Sequence, residues 1–97
     1  MYARVTAVQG SPDKVEAGID SFNGEVLPAL KGVGGYKGSF LLVDRETGKG
    51  YGISLWESEE ARRRAGEAVA KAREATIKEM GASVPPVEEL EVVVSDI

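Results

Sequence analysis

The chain opens on a strand pattern. β-Branched and aromatic residues are spread through Tyr2–Val8, and Gln9-Gly10 closes the run. Ser11-Pro12 then changes the period. A serine that can accept from free amides, followed by a proline at the first helical position, opens a helix. Val15, Ile19, Phe22, Val26 and Leu30 recur in steps of three and four and form one apolar stripe. Pro28 falls inside that stripe, and its ring presses on the carbonyl of Gly24. A kink or an early stop is predicted there. Gly32, Gly34 and Gly35 finish the element.

Two strands follow, Tyr36–Asp44 and Tyr51–Glu57. Arg45-Glu46-Thr47-Gly48-Lys49-Gly50 joins them as a hairpin loop, with a glycine for the left-handed position. Ser58 is placed to cap a second helix running from about Glu59 to Met80. Its acids precede bases by one turn: Glu59 with Arg63, Glu60 with Arg64, Glu67 with Lys71, Glu74 with Lys78. Toward the sheet it presents Ala61, Ala65, Ala68, Ala72 and Thr76, small residues that permit close packing or a cavity. Gly81 ends the helix, Ser83-Val84-Pro85-Pro86 is a linker, and Leu90–Ser95 reads as the last strand.

Strand, helix, strand, strand, helix, strand is the order of a ferredoxin-like α+β domain, here residues 1–97 as one unit. Right-handed crossovers place both helices on one face of a four-stranded antiparallel sheet. The other face is polar in a monomer, because strands alternate in and out. These strands do not. Phe40 and Leu42 oppose Leu41 and Val43, Ile53 and Leu55 oppose Trp56, and Val92 and Val94 oppose Val93. Hiding ~600 Å² of apolar surface is worth roughly 15 kcal/mol before association costs, and a second copy set sheet to sheet supplies the cover. A homodimer is therefore expected.

Composition narrows the chemistry. The chain has no cysteine and no histidine, which removes disulfides, thiolate nucleophiles, zinc-thiolate sites and the commonest general base. A net charge of −4 lacks the basic footprint of a nucleic-acid binder. No run is long enough to span a membrane and the start does not read as a signal peptide, so a cytoplasmic location is the default expectation. Arg62-Arg63-Arg64 fans around its helix among acids and reads as a solvated face. Gly32-Val33-Gly34-Gly35 follows a helix rather than a strand and is not a dinucleotide fingerprint.

The hairpin from Gly35-Tyr36 through Trp56-Glu57-Ser58, preceded by Leu27-Pro28-Ala29-Leu30, resembles the dimeric α/β-barrel superfamily. Within it, the similarity is to the antibiotic-biosynthesis-monooxygenase-like domains. The resemblance implies a homodimer with a pocket in each subunit between helices and sheet. It also implies a small aromatic or polyketide-like ligand, oxidised in some members by molecular oxygen without a cofactor. Other members degrade haem, using a histidine on the second helix and an asparagine on the first strand. Neither is present, so haem degradation is set aside and no cofactor or metal is expected. A non-catalytic, ligand-binding or stress-associated dimer is the alternative.

Five residues are candidates for ligand contact: Trp56, Asn23, Phe22, Tyr36 and Ser54. Trp56 matches the family's pocket aromatic, and Gly52 and Ser54 on its face leave room beside the indole. It is otherwise a plug under the second helix. Asn23, beside Phe22, offers an amide to a pocket or stands at the boundary of the helix stripe. Family position favours Tyr36 as a phenol partner, whereas Tyr51 has the opposite parity to Trp56 and faces the dimer side. Arg4, on the first strand, calls for a carboxylate, with Asp44 or Glu57 the candidates. No residue stands out as a base.

Overall fold

The computed structural model describes residues 1–70 and 87–97. Its sheet is built around β1 (Tyr2–Gln9), which pairs antiparallel with β3 (Lys49–Trp56) on one side and β4 (Val87–Glu91) on the other. β2 (Tyr36–Val43) pairs antiparallel with β3, giving the order β2-β3-β1-β4. The hairpin turns where expected: Gly48 takes φ 80°, and its N–H donates to the Asp44 carbonyl at 2.9 Å. Gln9 Nε2 donates to the Thr47 carbonyl at 3.1 Å and ties this loop to the end of β1.

The first helical element is continuous but not uniform. A 3₁₀ turn (Pro12–Lys14) leads into α1 (Val15–Ser21), a π turn (Phe22–Val26) and α2 (Leu27–Lys31). The Ser11 hydroxyl does not cap it. Its carbonyl accepts from the Lys14 N–H at 3.0 Å, the bond of a tight first turn. The kink predicted from Pro28 appears as the π turn. Proline has no N–H to give and its ring crowds Gly24, and the Leu27 N–H reaches back five residues to the Phe22 carbonyl. The helix passes through the π turn and continues to Lys31.

The second element is α3 (Glu59–Ala68), capped by Ser58 Oγ, which accepts from the Ala61 N–H at 3.1 Å. Its charge pairs differ in detail from the expected spacing. Arg63 lies 3.5 Å from Glu60 and 3.4 Å from Glu67 rather than on Glu59, while Arg64 donates to the Gly34 carbonyl at 3.4 Å. Lys71, Ala72, Glu74, Thr76 and the predicted run to Met80 lie outside the described residues.

The last strand is shifted from the expected Leu90–Ser95. The ladder with β1 runs from Thr6↔Val87 to Tyr2↔Glu91, and the Val92 N–H donates to the Met1 carbonyl at 2.9 Å. Val93 and Val94 lie past the Tyr2↔Glu91 end of this ladder despite their β-branched sequence. Between helices and sheet, Val26, Leu30, Trp56, Ala61, Ala65 and Val69 form the buried core, with Phe22, Ala29, Val33 and Tyr36 packed against it. No helix among the described residues is long and apolar enough to cross a membrane.

Candidate functional site

Directly paired residues share a face, so the register lays out the surface beneath the helices as rungs. The first rung is Tyr36, Trp56, Tyr2 and Glu91; the second is Ser39, Ser54, Arg4 and Glu89. Then come Leu41, Gly52, Thr6 and Val87, and finally Val43, Gly50 and Val8. The second rung is polar throughout, although it crosses the middle of the layer that the helices cover.

Trp56 anchors the first rung. It is fully buried, and its Nε1 donates to Ser54 Oγ at 2.8 Å, which satisfies an indole N–H in an apolar core. Tyr36 meets the indole edge to face, with ring centroids 5.5 Å apart and planes at 67°. The Tyr36 hydroxyl shares a 2.8 Å hydrogen bond with Ser39 Oγ. Tyr36 and Ser39 are three residues apart, a spacing that puts side chains on opposite faces of a regular strand. The register slips between Tyr36 and Gly38, leaving Lys37 as the extra residue of a β-bulge. That bulge brings both onto the helix side.

Below this polar rung the layer thins. A Cβ placed on Gly52 would meet nothing within 4 Å among the described residues, and Gly52 lies between Thr6 and Leu41 on the helix-facing surface. This open space is bordered on the next rung by Ser54, Ser39 and Arg4. Arg4 reaches up beneath α3, where Gly66 has no side chain. A Cβ there would come within 3.4 Å of the Arg4 Nε. Arg4 stands opposite Glu89 in the register, rather than at the β2–β3 turn where Asp44 lies.

Of the five sequence candidates, the structure brings Trp56, Ser54, Tyr36 and Phe22 into or against one cluster. Asn23 is exposed on the outer side of the π turn and faces away from that cluster. Ser39 and Thr6 were not singled out from sequence. Ser39 is hidden by the bulge, and Thr6 is a threonine in a strand, where the type is common. At the solvent edge, a shallow cleft of about 550 Å³ lies between Gly32-Val33-Gly34 and Arg64, Glu67 and Ala68 of α3. No group of acids that could hold a metal ion occurs among the described residues.

The opposite face of the sheet carries no helix. Ala3, Val5, Ala7, Phe40, Leu42, Tyr51, Ile53, Leu55 and Leu90 point there, and Phe40 and Leu42 are 47% and 48% exposed. Tyr51 lies on this side, as its parity predicts. Lys49 Nζ sits 5.4 Å from its ring centroid, and the Tyr51 hydroxyl raises the Lys49 ammonium above its ordinary pKa.

No family model matches the chain. It is 38% identical over 92 residues to the uncharacterized protein Rv2557 of Mycobacterium tuberculosis, an alignment covering 95% of this chain. The chain spans 41% of the length of that relative. Among solved structures, it superposes on the ActVA-Orf6 monooxygenase of Streptomyces coelicolor, determined in complex with nanaomycin D, with TM-score 0.81 at 19% identity. That superposition covers 99% of this chain and 90% of the other. A dimeric ferredoxin-like protein from an uncultured marine organism matches with TM-score 0.72 at 15% identity, covering 99% and 90%. An antibiotic biosynthesis monooxygenase matches with TM-score 0.73 at 13% identity, covering 97% and 100%. The chain has the ferredoxin-like fold of the antibiotic biosynthesis monooxygenase structures.

Proposed function

We propose that this chain is a homodimeric small-molecule-binding domain that takes an aromatic or polyketide-like ligand between its helices and its sheet. The observation that carries this reading is the space left over Gly52 by the described residues, two rungs from the Tyr36–Trp56 pair and bordered by Ser39, Ser54 and Arg4. A flat ligand needs apolar walls and a few fixed polar groups, and this layer supplies both. The fold similarity to monooxygenases, one of them holding a ligand, supports the same reading.

Cofactor-independent oxygenation is the catalytic form of the proposal. For an anthrone-type phenol, the ligand's own anion reduces dioxygen. Its ring CH₂ becomes a carbonyl, and the second oxygen atom leaves as water. The protein's part is to orient the ring, exclude water and stabilise developing negative charge.

A second reading, binding without turnover, is favoured by one feature. Tyr36, Ser39, Ser54, Thr6 and Arg4 include no histidine, aspartate or glutamate, the usual general bases. Oxygen-electrode assays with an anthrone-type phenol separate the two. Uptake that requires the protein and falls in a Gly52→Leu variant supports turnover. Saturable quenching of Trp56, the sole tryptophan, without oxygen uptake leaves the binding reading. No change in Trp56 emission with any such phenol sinks both.

A further inference from the structure

β4 is an outer strand of the sheet, laddered to β1 on one side, and its sequence is a poor strand former. Glu88, Glu89 and Glu91 belong to a type depleted in strands, and every residue of β4 after Val87 is exposed. Little apolar burial holds it in place. Arg62 of α3 works against that weakness. Its Nη1 donates to the Leu90 carbonyl at 3.0 Å, and its Nε lies 3.0 Å from Glu89 Oε2. The guanidinium also sits over Tyr2 of β1, 5.3 Å from the ring centroid. A single arginine therefore joins the helix to both the edge strand and its neighbour.

The grip is a loose one. Arg62 Nε is buried yet makes no directed hydrogen bond among the described residues, so its attraction to Glu89 is one of charge alone. The Glu89 side chain is 51% exposed, where water competes for it. Arg63, by contrast, pairs with Glu60 and Glu67 on its own helix.

We infer that Arg62 is a clasp on β4, and that β4 opens as a local unit to admit the ligand to the helix-covered layer. This rests on the binding reading above and deepens it by naming a way in. The third rung supplies the path. Val87 of β4 stands directly beside Thr6, and Thr6 directly beside Gly52. Lifting β4 leaves Thr6 at the margin of the layer, next to the space over Gly52. On the other side, β2 is bound to β3 along its whole length, and the Trp56 core closes the first rung. Strands with little buried apolar surface open at low cost, and elements that admit ligands are drawn from that low-stability end.

The test is amide hydrogen exchange read by mass spectrometry on the wild type, Arg62→Gln and, as a control, Arg63→Gln. Stopped-flow quenching of Trp56 by an anthrone-type phenol is followed on the same three proteins. In Arg62→Gln, the β4 amides are expected to exchange about tenfold faster while those of β2 and β3 keep their protection. The phenol is expected to associate with that variant at least about threefold faster. Arg63→Gln is expected to change neither. Unchanged exchange in β4, or an equal loss of protection across all four strands, overturns the clasp. Faster β4 exchange with no change in association rate overturns β4 as the way in. If no phenol binds the wild type, the binding reading and the way in fall together, and the exchange data alone decide whether Arg62 clasps β4.

Discussion

Trp56 and Ser54 lie two residues apart on one strand, and the indole N–H of the first is satisfied by the hydroxyl of the second at 2.8 Å. Both side chains lie on the helix-covered face of β3, where Trp56 packs in the core with Val26, Leu30, Ala61 and Ala65. The same hydroxyl borders the space above Gly52. Removing it leaves a buried donor without a partner. Ser54→Ala is expected to destabilise the fold by about 1–3 kcal/mol in urea unfolding. It should also alter Trp56 emission in the folded state. A variant with unchanged stability and spectrum would show that water replaces the hydroxyl at no cost.

Gly35 makes the connection from the first helical element to β2 possible. It takes φ 93°, and a Cβ there would lie 2.7 Å from the Ala61 Cβ, while its carbonyl accepts from the Glu57 N–H at 2.8 Å. The left-handed backbone and the close approach of α3 both require glycine. Gly35→Ala is expected to destabilise by about 2–4 kcal/mol, the sum of backbone strain and overpacking. Thermal unfolding of the variant measures it.

Gly24 behaves in the opposite way. It lies in the π turn with no positive φ, and an added Cβ meets nothing within 4 Å. Alanine restricts the unfolded chain and favours helix without a clash. Gly24→Ala is expected to stabilise by about 0.5–1 kcal/mol, read as a rise in urea midpoint with unchanged slope. A loss of stability would mean that the turn opposite Pro28 depends on glycine.

The sequence made the element order and the two-sided apolar sheet readable, because both depend on local period. The Pro28–Gly24 kink was readable too, since the steric conflict is fixed by a four-residue spacing. What escaped is nonlocal. Alternation from Phe40 and Leu42 assigns Tyr36 to the helix-free face. Only the extra residue at Lys37 turns it toward Trp56. β4 was placed three residues late because Val92-Val93-Val94 outscores Val87-Glu88-Glu89 on β propensity. The pairing is decided by where β1 offers partners. Charge suggested Asp44 or Glu57 for Arg4 but could not show that strand order sets Glu89 across from it, a carboxylate that pairs with Arg62 at 3.0 Å.

The helix-free face is the second place where function and stability separate. Leu42 is 48% exposed there and stands beside Tyr51 across the β2–β3 ladder. An aspartate at this site is tolerated by a monomer, where water reaches it, and not by a face-to-face pair, where it is desolvated without a partner. Leu42→Asp is expected to retain the circular dichroism of the wild type and to sediment as a monomer at concentrations where the wild type is paired. A variant that remains paired would place the contact elsewhere on the molecule.

Gly52 offers the sharpest test of the space beneath the helices. The residue is in a strand, where glycine weakens the backbone and packs nothing, and it faces the helix side where large apolar residues are the rule. Its neighbours Thr6 and Leu41 do not close over it, since a Cβ at Gly52 finds no atom of the described residues within 4 Å. If that space were merely imperfect packing, filling it with Gly52→Leu would add buried apolar surface and raise stability. If it receives a ligand, the same substitution keeps the fold but blocks entry. The expected outcome is a folded variant with equal or greater stability that binds anthrone-type phenols at least about tenfold more weakly, followed through Trp56 fluorescence. Unaltered affinity in a folded variant would mean that the ligand lies elsewhere, with the cleft beside Gly32 and Arg64 the next place to look.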